Sequence, residues 1–128
     1  MAGINIDASG LRALAVDLGK VPGRLVPKID AVLKRGALSI KDDLNQQLAD
    51  SPHFKAAAGS VTFESTTSVG RVSYEVGPDK ERRAGALANI FFFGGARGGG
   101  GTGDLDGPVD AESERVSEHL SKIVGDIL

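Results

Sequence analysis

The sequence has no cysteine and no tryptophan, and it has only one tyrosine and five phenylalanines among its 128 residues. Without cysteine the chain can form neither a disulfide framework nor a thiolate zinc site, which is compatible with folding in a reducing cytoplasm. Because aromatic residues are scarce, the core has to be built mainly from Leu, Ile, Val and Ala. A core of that kind is modest, and partner contacts often add to its stability.

Long apolar runs are also missing. No stretch approaches the roughly 20 apolar residues of a membrane span, and residues 1–6 lack the basic start and apolar segment of a secretory signal. We therefore expect a soluble, unprocessed protein with no membrane partner. The length and the 41% hydrophobic content predict a single domain over residues 1–128.

Glycine and charge, in contrast, are unevenly distributed. Eight of the 18 glycines lie in residues 94–107, which predicts a long flexible loop there. Residues 1–103 carry thirteen basic and ten acidic side chains, against two and seven in residues 104–128. This split is too small for strong nucleic-acid binding. It suits head-to-tail contacts between copies, and it equally suits two ordinary solvated faces.

Short sequence patterns predict the first two secondary-structure elements, within residues 4–19. Alternation of Ile4 and Ile6 with polar residues predicts a short first strand. Ser9 is then a candidate N-cap for a helix that ends at Gly19. The apolar residues of that predicted helix are Leu11, Leu14, Ala15 and Leu18.

The strongest periodic signal predicts a long amphipathic helix that begins near Val26 and ends at Ser51 and Pro52. Its apolar positions recur every three or four residues: Val26, Ile29, Leu33, Ala37, Ile40, Leu44 and Leu48. The other face carries mixed charge, which we interpret as solvated or facing another subunit. Gly36 lies inside the helix and costs about 1 kcal/mol relative to Ala, so it marks either a close packing contact or a tolerated flaw.

The pattern then changes to a period of two, which predicts a β-hairpin. Residues 61–64 and 72–76 alternate, and residues 67–70 are rich in turn formers. The basic residues Lys80, Arg82 and Arg83 lead into a predicted short helix over residues 86–91. At the other end of the chain, Pro108 and Asp110 predict the start of a final helix with Val116, Leu120, Ile123 and Ile127 on its apolar face. Glu112 and Glu114 in its first turn would complement the helix dipole.

These patterns together predict an α+β fold. A long amphipathic helix packs on a small antiparallel β-sheet, and a C-terminal helix and a long Gly-rich loop complete the chain.

Phe91, Phe92 and Phe93 are consecutive and cannot all face one core. At least one should lie at a surface, where an exposed aromatic usually marks a partner contact. The alternative is an irregular turn with all three partly buried.

No catalytic or cofactor motif is present in the sequence. The Gly-rich run resembles a phosphate loop, but Asp104, Leu105 and Asp106 follow it where the Walker pattern needs Lys and Ser or Thr. His53 and His119 lie in different elements and form no metal-ligand pair. We expect a non-catalytic protein with no cofactor and no resident metal.

The order of parts resembles a family of small tail-component proteins of siphovirus-type phages, called neck, tail-completion or head-tail joining proteins. The residues that carry the likeness are Gly10 and Leu11, the helix that ends at Ser51 and Pro52, and the segments 54–61, 74–78 and 88–94. The resemblance implies a twisted antiparallel sheet packed on the long helix. It also implies a ring, of six copies, between the head connector and the tail tube, with edge strands and loops in the ring contacts.

The resemblance also implies partners and a location. The partners would be further copies of the chain, the connector or stopper, and the tail terminator or tail-tube protein, with genomic DNA passing through the lumen without specific binding. The chain would reside in the virion neck or tail, and in the host cytoplasm before assembly. The predicted contact residues are Phe91, Phe92, Phe93, Arg97, Arg82, Arg83, Asp104 and Asp106.

Two rival functions remain open at this point. A tail terminator would share the layout and cap the tube as a ring. An antitoxin-like cytoplasmic regulatory module would instead form a discrete dimer and stay out of the virion. Deleting residues 98–103 is expected to block particle joining while leaving the monomer folded.

Overall fold

The computed structural model describes residues 6–7, 13–19, 21–68, 70–79, 83–94 and 103–125, and its architecture is α+β, as predicted. The elements in chain order are β1 (Ile6–Asp7), β2 (Ala13–Asp17), α1 (Val26–Asp50), β3 (Val61–Ser68), β4 (Arg71–Pro78), α2 (Arg83–Phe93) and α3 (Asp106–Gly125). Short 3-10 turns precede α1 and β3, at Gly23–Leu25 and Lys55–Ala57.

The long helix is confirmed. Pro27 lies in the first turn of α1, where a missing amide proton costs nothing, and the extended backbone of Ser51 ends the helix. Of the seven apolar positions that the spacing predicted, Val26 is half-buried and the other six are buried: Ile29, Leu33, Ala37, Ile40, Leu44 and Leu48. This face of α1 forms the centre of the hydrophobic core.

The sheet is antiparallel, with the strand order β1-β2-β4-β3. The predicted hairpin is confirmed as β3 and β4, paired from Val61 with Pro78 to Ser68 with Arg71. Gly70 has a φ of 79°, which suits glycine at the tight turn between the strands. Alternate residues of β4, namely Val72, Tyr74 and Val76, are buried against the helices.

The predicted helix between Ser9 and Gly19 is wrong, because its central residues form β2. Leu14 pairs with Tyr74 and Val16 pairs with Val72, so β2 is the inner neighbour of β4. Leu14 and Val16 of the strand are buried, and so is Leu18 directly after it. The predicted first strand is present as two residues, Ile6 and Asp7, while Ile4, Ser9 and Leu11 lie outside the described residues.

The last helix, α3, packs across α1 at Gly36. A Cβ atom at Gly36 would lie 2.8 Å from Leu14 Cδ1 and 2.8 Å from Val116 Cγ2, so glycine lets the two helices approach closely. The close-packing interpretation of Gly36 is thus confirmed. The helix begins at Asp106, earlier than predicted, and Ile127 lies outside the described residues.

One polar contact ties the sheet to α1. Tyr74 Oη donates a hydrogen bond of 2.7 Å to Asp30 Oδ1. Burial, this hydrogen bond and the charge of Asp30 together raise the pKa of Tyr74 to about 12. The phenol is therefore held in its neutral, hydrogen-bond-donating form.

Candidate assembly surfaces

Helix α2 is apolar on two opposite sides. One side packs into the core through Gly85, Ala88, Phe91 and Phe92. The other side exposes Leu87, Ile90 and Phe93 by 40%, 44% and 48%, and we call these three residues the α2 ridge. Residues 84–93 contain no charged side chain. A helix that is apolar all round is normally covered on all sides.

The exposed apolar residues are concentrated on this helix. Among the described residues, one other large hydrophobic side chain is exposed, Leu38 of α1 at 42%. Single exposed residues such as Leu38 are ordinary in soluble proteins. Three at successive turns of one helix form a continuous patch, which is typical of a protein contact.

The three phenylalanines divide between core and surface. Phe91 lies 5.1 Å from Phe54, between ring centroids, and packs edge-on against Phe92 at 4.9 Å. Both side chains are more than 90% buried, so the predicted partner contact through Phe91 and Phe92 is wrong for these two residues. Phe93 is the exposed aromatic residue that the sequence required.

Gly94 and Gly103, on either side of residues 95–102, are both hydrogen-bonded to the end of α2. Gly94, with a φ of 89°, ends α2 in the left-handed conformation and donates its amide to the Ile90 carbonyl at 2.8 Å. Gly103 donates its amide to the Phe91 carbonyl at 2.9 Å. The two ends of residues 95–102 are therefore fixed beside each other, next to Phe93. Residues 95–102 themselves, including Arg97, lie outside the described residues.

The last part of the segment predicted as a loop, residues 103–107, is anchored to the helices. The Gln47 side chain forms two hydrogen bonds with the backbone of Asp104, of 2.7 Å and 2.8 Å. The Asp104 carboxylate accepts a 3.0 Å hydrogen bond from the amide of Gly107 in the first turn of α3. Asp104 thus holds α3 against α1. Asp106 is exposed at the start of α3.

Two predicted basic contact residues can be placed only in part. Arg83 begins α2, but its side chain is outside the described part of the chain. Arg82 lies outside the described residues altogether.

A concave surface lies between α1 and α3. This pocket of about 300 Å³, which we call the α1–α3 groove, is lined by Ala31, Val32, Arg35, Gly36, Ser39, Glu112, Arg115, Val116 and His119. Gly36 forms part of its wall, with the side chains of Leu14 and Val116 packed closely against it. Ala31, Val32 and Val116 make part of the lining apolar.

Glu112 is a buried carboxylate at the edge of the groove. Its side chain is 7% exposed and accepts a 2.8 Å hydrogen bond from Arg115 Nη1. The prediction that it complements the helix dipole in the first turn is wrong, because α3 begins six residues earlier and Glu112 lies in the second turn. The signal was present in the spacing, since Glu112 lies three residues after Val109 and four before Val116, in the apolar repeat of α3.

The outer edge of the sheet is open along β3. Asn45 binds the backbone amide and carbonyl of Val61 at 3.0 Å and 3.1 Å, and so occupies the first outward-facing position. The register of β3 with β4 places the backbone groups of Phe63, Ser65 and Thr67 on the same outer side. Such an edge is a template for a strand from another chain.

In the described ranges, no group of three or more His, Asp or Glu side chains is placed to hold a metal ion. No helix in that part of the chain is long and apolar enough to cross a membrane.

No family model, curated protein or solved structure matches the chain. The function therefore has to be inferred from the surfaces described above and from the resemblance in the order of sequence motifs.

Proposed function

We propose that the chain is a non-catalytic structural subunit that assembles into a homo-oligomeric ring, of six copies, at the head-tail interface of a long-tailed phage. The ring completes the tail and joins it to the head connector. The observation that carries this proposal is the α2 ridge, an uncharged apolar patch on a helix whose opposite side already belongs to the core.

Burying the ridge against another protein would stabilise a complex. Fully burying a Leu, Ile or Phe side chain contributes about 1.5–3 kcal/mol, and each ridge residue is already about half buried, at 40–48% exposure. Covering the remainder contributes about 1 kcal/mol for each side chain. The ridge alone is therefore too weak for a permanent complex, and it acts together with other contacts in a ring.

The open edge of β3 supports the same proposal. The resemblance to tail-component proteins implies that edge strands make ring contacts, and β3 has outward-facing backbone groups along residues 63–67. Gly94 and Gly103, the described ends of the Gly-rich segment, are hydrogen-bonded to the end of α2 that carries Phe93, and in this proposal the segment and Phe93 belong to one interface.

In this proposal the other copies of the chain are the first partners. The connector or stopper and the tail terminator or tail-tube protein bind the two faces of the ring, and DNA passes through the lumen without sequence-specific binding. The protein resides in the host cytoplasm until assembly and in the virion afterwards.

The test is complementation of a phage that cannot make the chain. The triple variant Leu87→Ser, Ile90→Ser, Phe93→Ser should leave heads and tails unjoined, while the wild-type chain restores joined particles. Leu38→Ser is the matched control, because Leu38 is equally exposed at 42% but lies on α1. It should join particles normally.

Particle counts by negative-stain electron microscopy and infectivity measure the outcome. Normal particles from the triple variant would contradict the proposal. A chain found only at the end of headless tails would favour the tail terminator instead. A discrete dimer absent from purified virions would favour the regulatory module.

A further inference from the structure

We infer that the free chain, before assembly, is a two-fold dimer in which the β3 strands of two copies pair antiparallel. The partner is a second copy of the chain, and the contact is the outer edge of β3. The inference goes beyond the proposed ring, because it concerns the protein before the ring exists. A two-fold contact does not repeat around a head-to-tail ring, so this dimer has to open when the ring forms.

The β3 edge lacks the features that commonly keep strand edges apart. Proteins shield such edges with very short strands, lysine, proline or bulges. β3 has eight residues, contains no Lys, Arg or Pro, and pairs residue for residue with β4, without a bulge. Among the described residues, the outward-facing backbone groups of Phe63 and Ser65 have no hydrogen-bond partner. The edge is therefore open to another strand.

Three residues of β3 can pair with that strand. Asn45 already binds the backbone amide and carbonyl of Val61, at 3.0 Å and 3.1 Å, so pairing begins after Val61. The hairpin turn ends the strand on the other side. Alternate residues of a strand face the same neighbour. The outward-facing groups that remain are those of Phe63, Ser65 and Thr67.

The number of backbone pairs selects one register for two β3 strands. When the two-fold axis passes by Ser65, this residue lies opposite Ser65 of the second copy. Phe63 then lies opposite Thr67 on both sides of the axis. This register gives three hydrogen-bonded residue pairs, whereas a shift by two residues in either direction leaves two. The open part of the edge is thus complementary to itself.

The side chains favour the same register. Glu64 is the one charged residue of β3, and it is exposed on the outer face of the sheet together with Thr66. In the register centred on Ser65, each Glu64 lies opposite Thr66 of the second copy. One of the shifted registers places two Glu64 side chains directly opposite each other, which is destabilising. Charge and hydrogen bonding therefore favour a second copy in one register.

Phe63 adds an apolar part to the contact. Its ring is half-buried and packs against Tyr74 of β4, with 5.9 Å between the ring centroids. On the open side of β3, the strand of a second copy would lie beside it. Pairing would therefore bury more of this ring.

Analytical ultracentrifugation of the full-length chain, purified without other phage proteins, tests the dimer. Thr66→Lys places a cation opposite Glu64 of the second copy, twice in the dimer, and should lower the Kd about threefold or more. Thr66→Glu should raise the Kd by a similar factor. Thr62→Lys is the matched control, because it adds the same charge to the same face of β3, four residues from the position opposite Glu64. It should leave the Kd unchanged.

Cysteine cross-linking tests the register, because the chain has no cysteine of its own. Ser65→Cys places two thiols directly opposite each other, at a Cα separation of about 5.5 Å that permits a disulfide. Thr62→Cys is the control on the same strand, since its two copies would lie about 20 Å apart along the strands. After mild oxidation, Ser65→Cys should give at least tenfold more cross-linked dimer. Circular dichroism would first show that each variant is folded.

Three results would overturn the inference. A free chain that is monomeric at every concentration measured lacks the contact. Equal effects of Thr66→Lys and Thr62→Lys, or equal cross-linking of the two cysteine variants, show that another register or surface joins the copies. A dimer that the triple variant of the α2 ridge abolishes is joined through α2.

The proposed function is tested separately, by the joining of particles. A monomeric free chain that joins heads to tails contradicts the dimer and leaves the proposed function intact. A β3-paired dimer that does not restore joined particles contradicts the proposed function and leaves the dimer intact.

Discussion

Replacing Gly36 with alanine has two opposing effects on the free energy of unfolding: alanine stabilises the helix, and its added Cβ overpacks the core. In an exposed helix, Gly→Ala gains about 1 kcal/mol in propensity. At Gly36 the added Cβ would lie 2.8 Å from both Leu14 Cδ1 and Val116 Cγ2. Those side chains are fully or nearly fully buried, at 0% and 3% exposure, so neither can swing into solvent.

The expected net effect is a loss of stability. Overpacking a core costs about 1–3 kcal/mol, which exceeds the propensity gain, and Gly36→Ala should therefore lower the free energy of unfolding by about 1 kcal/mol. Gly36→Val adds two further methyl groups at the same crossing and loses most of the propensity gain. It should lower the free energy of unfolding by about 3 kcal/mol.

Urea unfolding followed by circular dichroism measures both variants. Gly125→Ala is the matched control, since Gly125 also lies in a helix but has no atom within 4 Å of an added Cβ. It should be neutral or slightly stabilising. If Gly36→Ala were as stable as wild type or more so, the close α1–α3 crossing would be refuted as the reason for glycine at this position.

Three further changes test separate contacts, all by urea unfolding. Tyr74→Phe removes the hydrogen bond to Asp30 and should cost about 1–2 kcal/mol at pH 7. Because folding raises the pKa of Tyr74 to about 12 from 10.0, the wild type should lose stability as the pH rises from about 10 to 12, a loss that the variant should lack. Gly85→Ala would push a Cβ into the backbone carbonyl of Asp79, so it should cost more than Gly36→Ala. Asn45→Ala removes three hydrogen bonds to the start of β3 and should cost about 2 kcal/mol.

The sequence predicted the elements whose periodic pattern is long. α1 supplies seven apolar positions with one consistent spacing, and the hairpin combines alternation with turn residues. β2 could not be recognised in the same way, because Leu14 and Leu18 fit a helical spacing and an alternating one equally well. Its pairing with β4, which joins residues about 60 positions apart, decided the outcome.

The candidate surfaces were predicted in part. Three consecutive phenylalanines required one exposed ring, but the identity of that ring depends on how α2 packs against Phe54 and Gly103. The groove left no direct signal, because α1 and α3 are separate in sequence and meet only in the fold. Glu112 could have been noticed as an acidic residue in an apolar repeat.

Because hydrogen bonds fix Gly94 and Gly103 to the end of α2, the stability of the fold should depend only weakly on the number of residues between them. Since the two ends are held together, the entropy cost of closing the segment grows only with the logarithm of its length. Doubling the length costs about 0.6 kcal/mol. A shortened chain should keep Gly103, whose Cα packs against the rings of Phe91 and Phe92. An insertion within residues 95–102 should therefore leave the stability of the rest of the fold nearly unchanged.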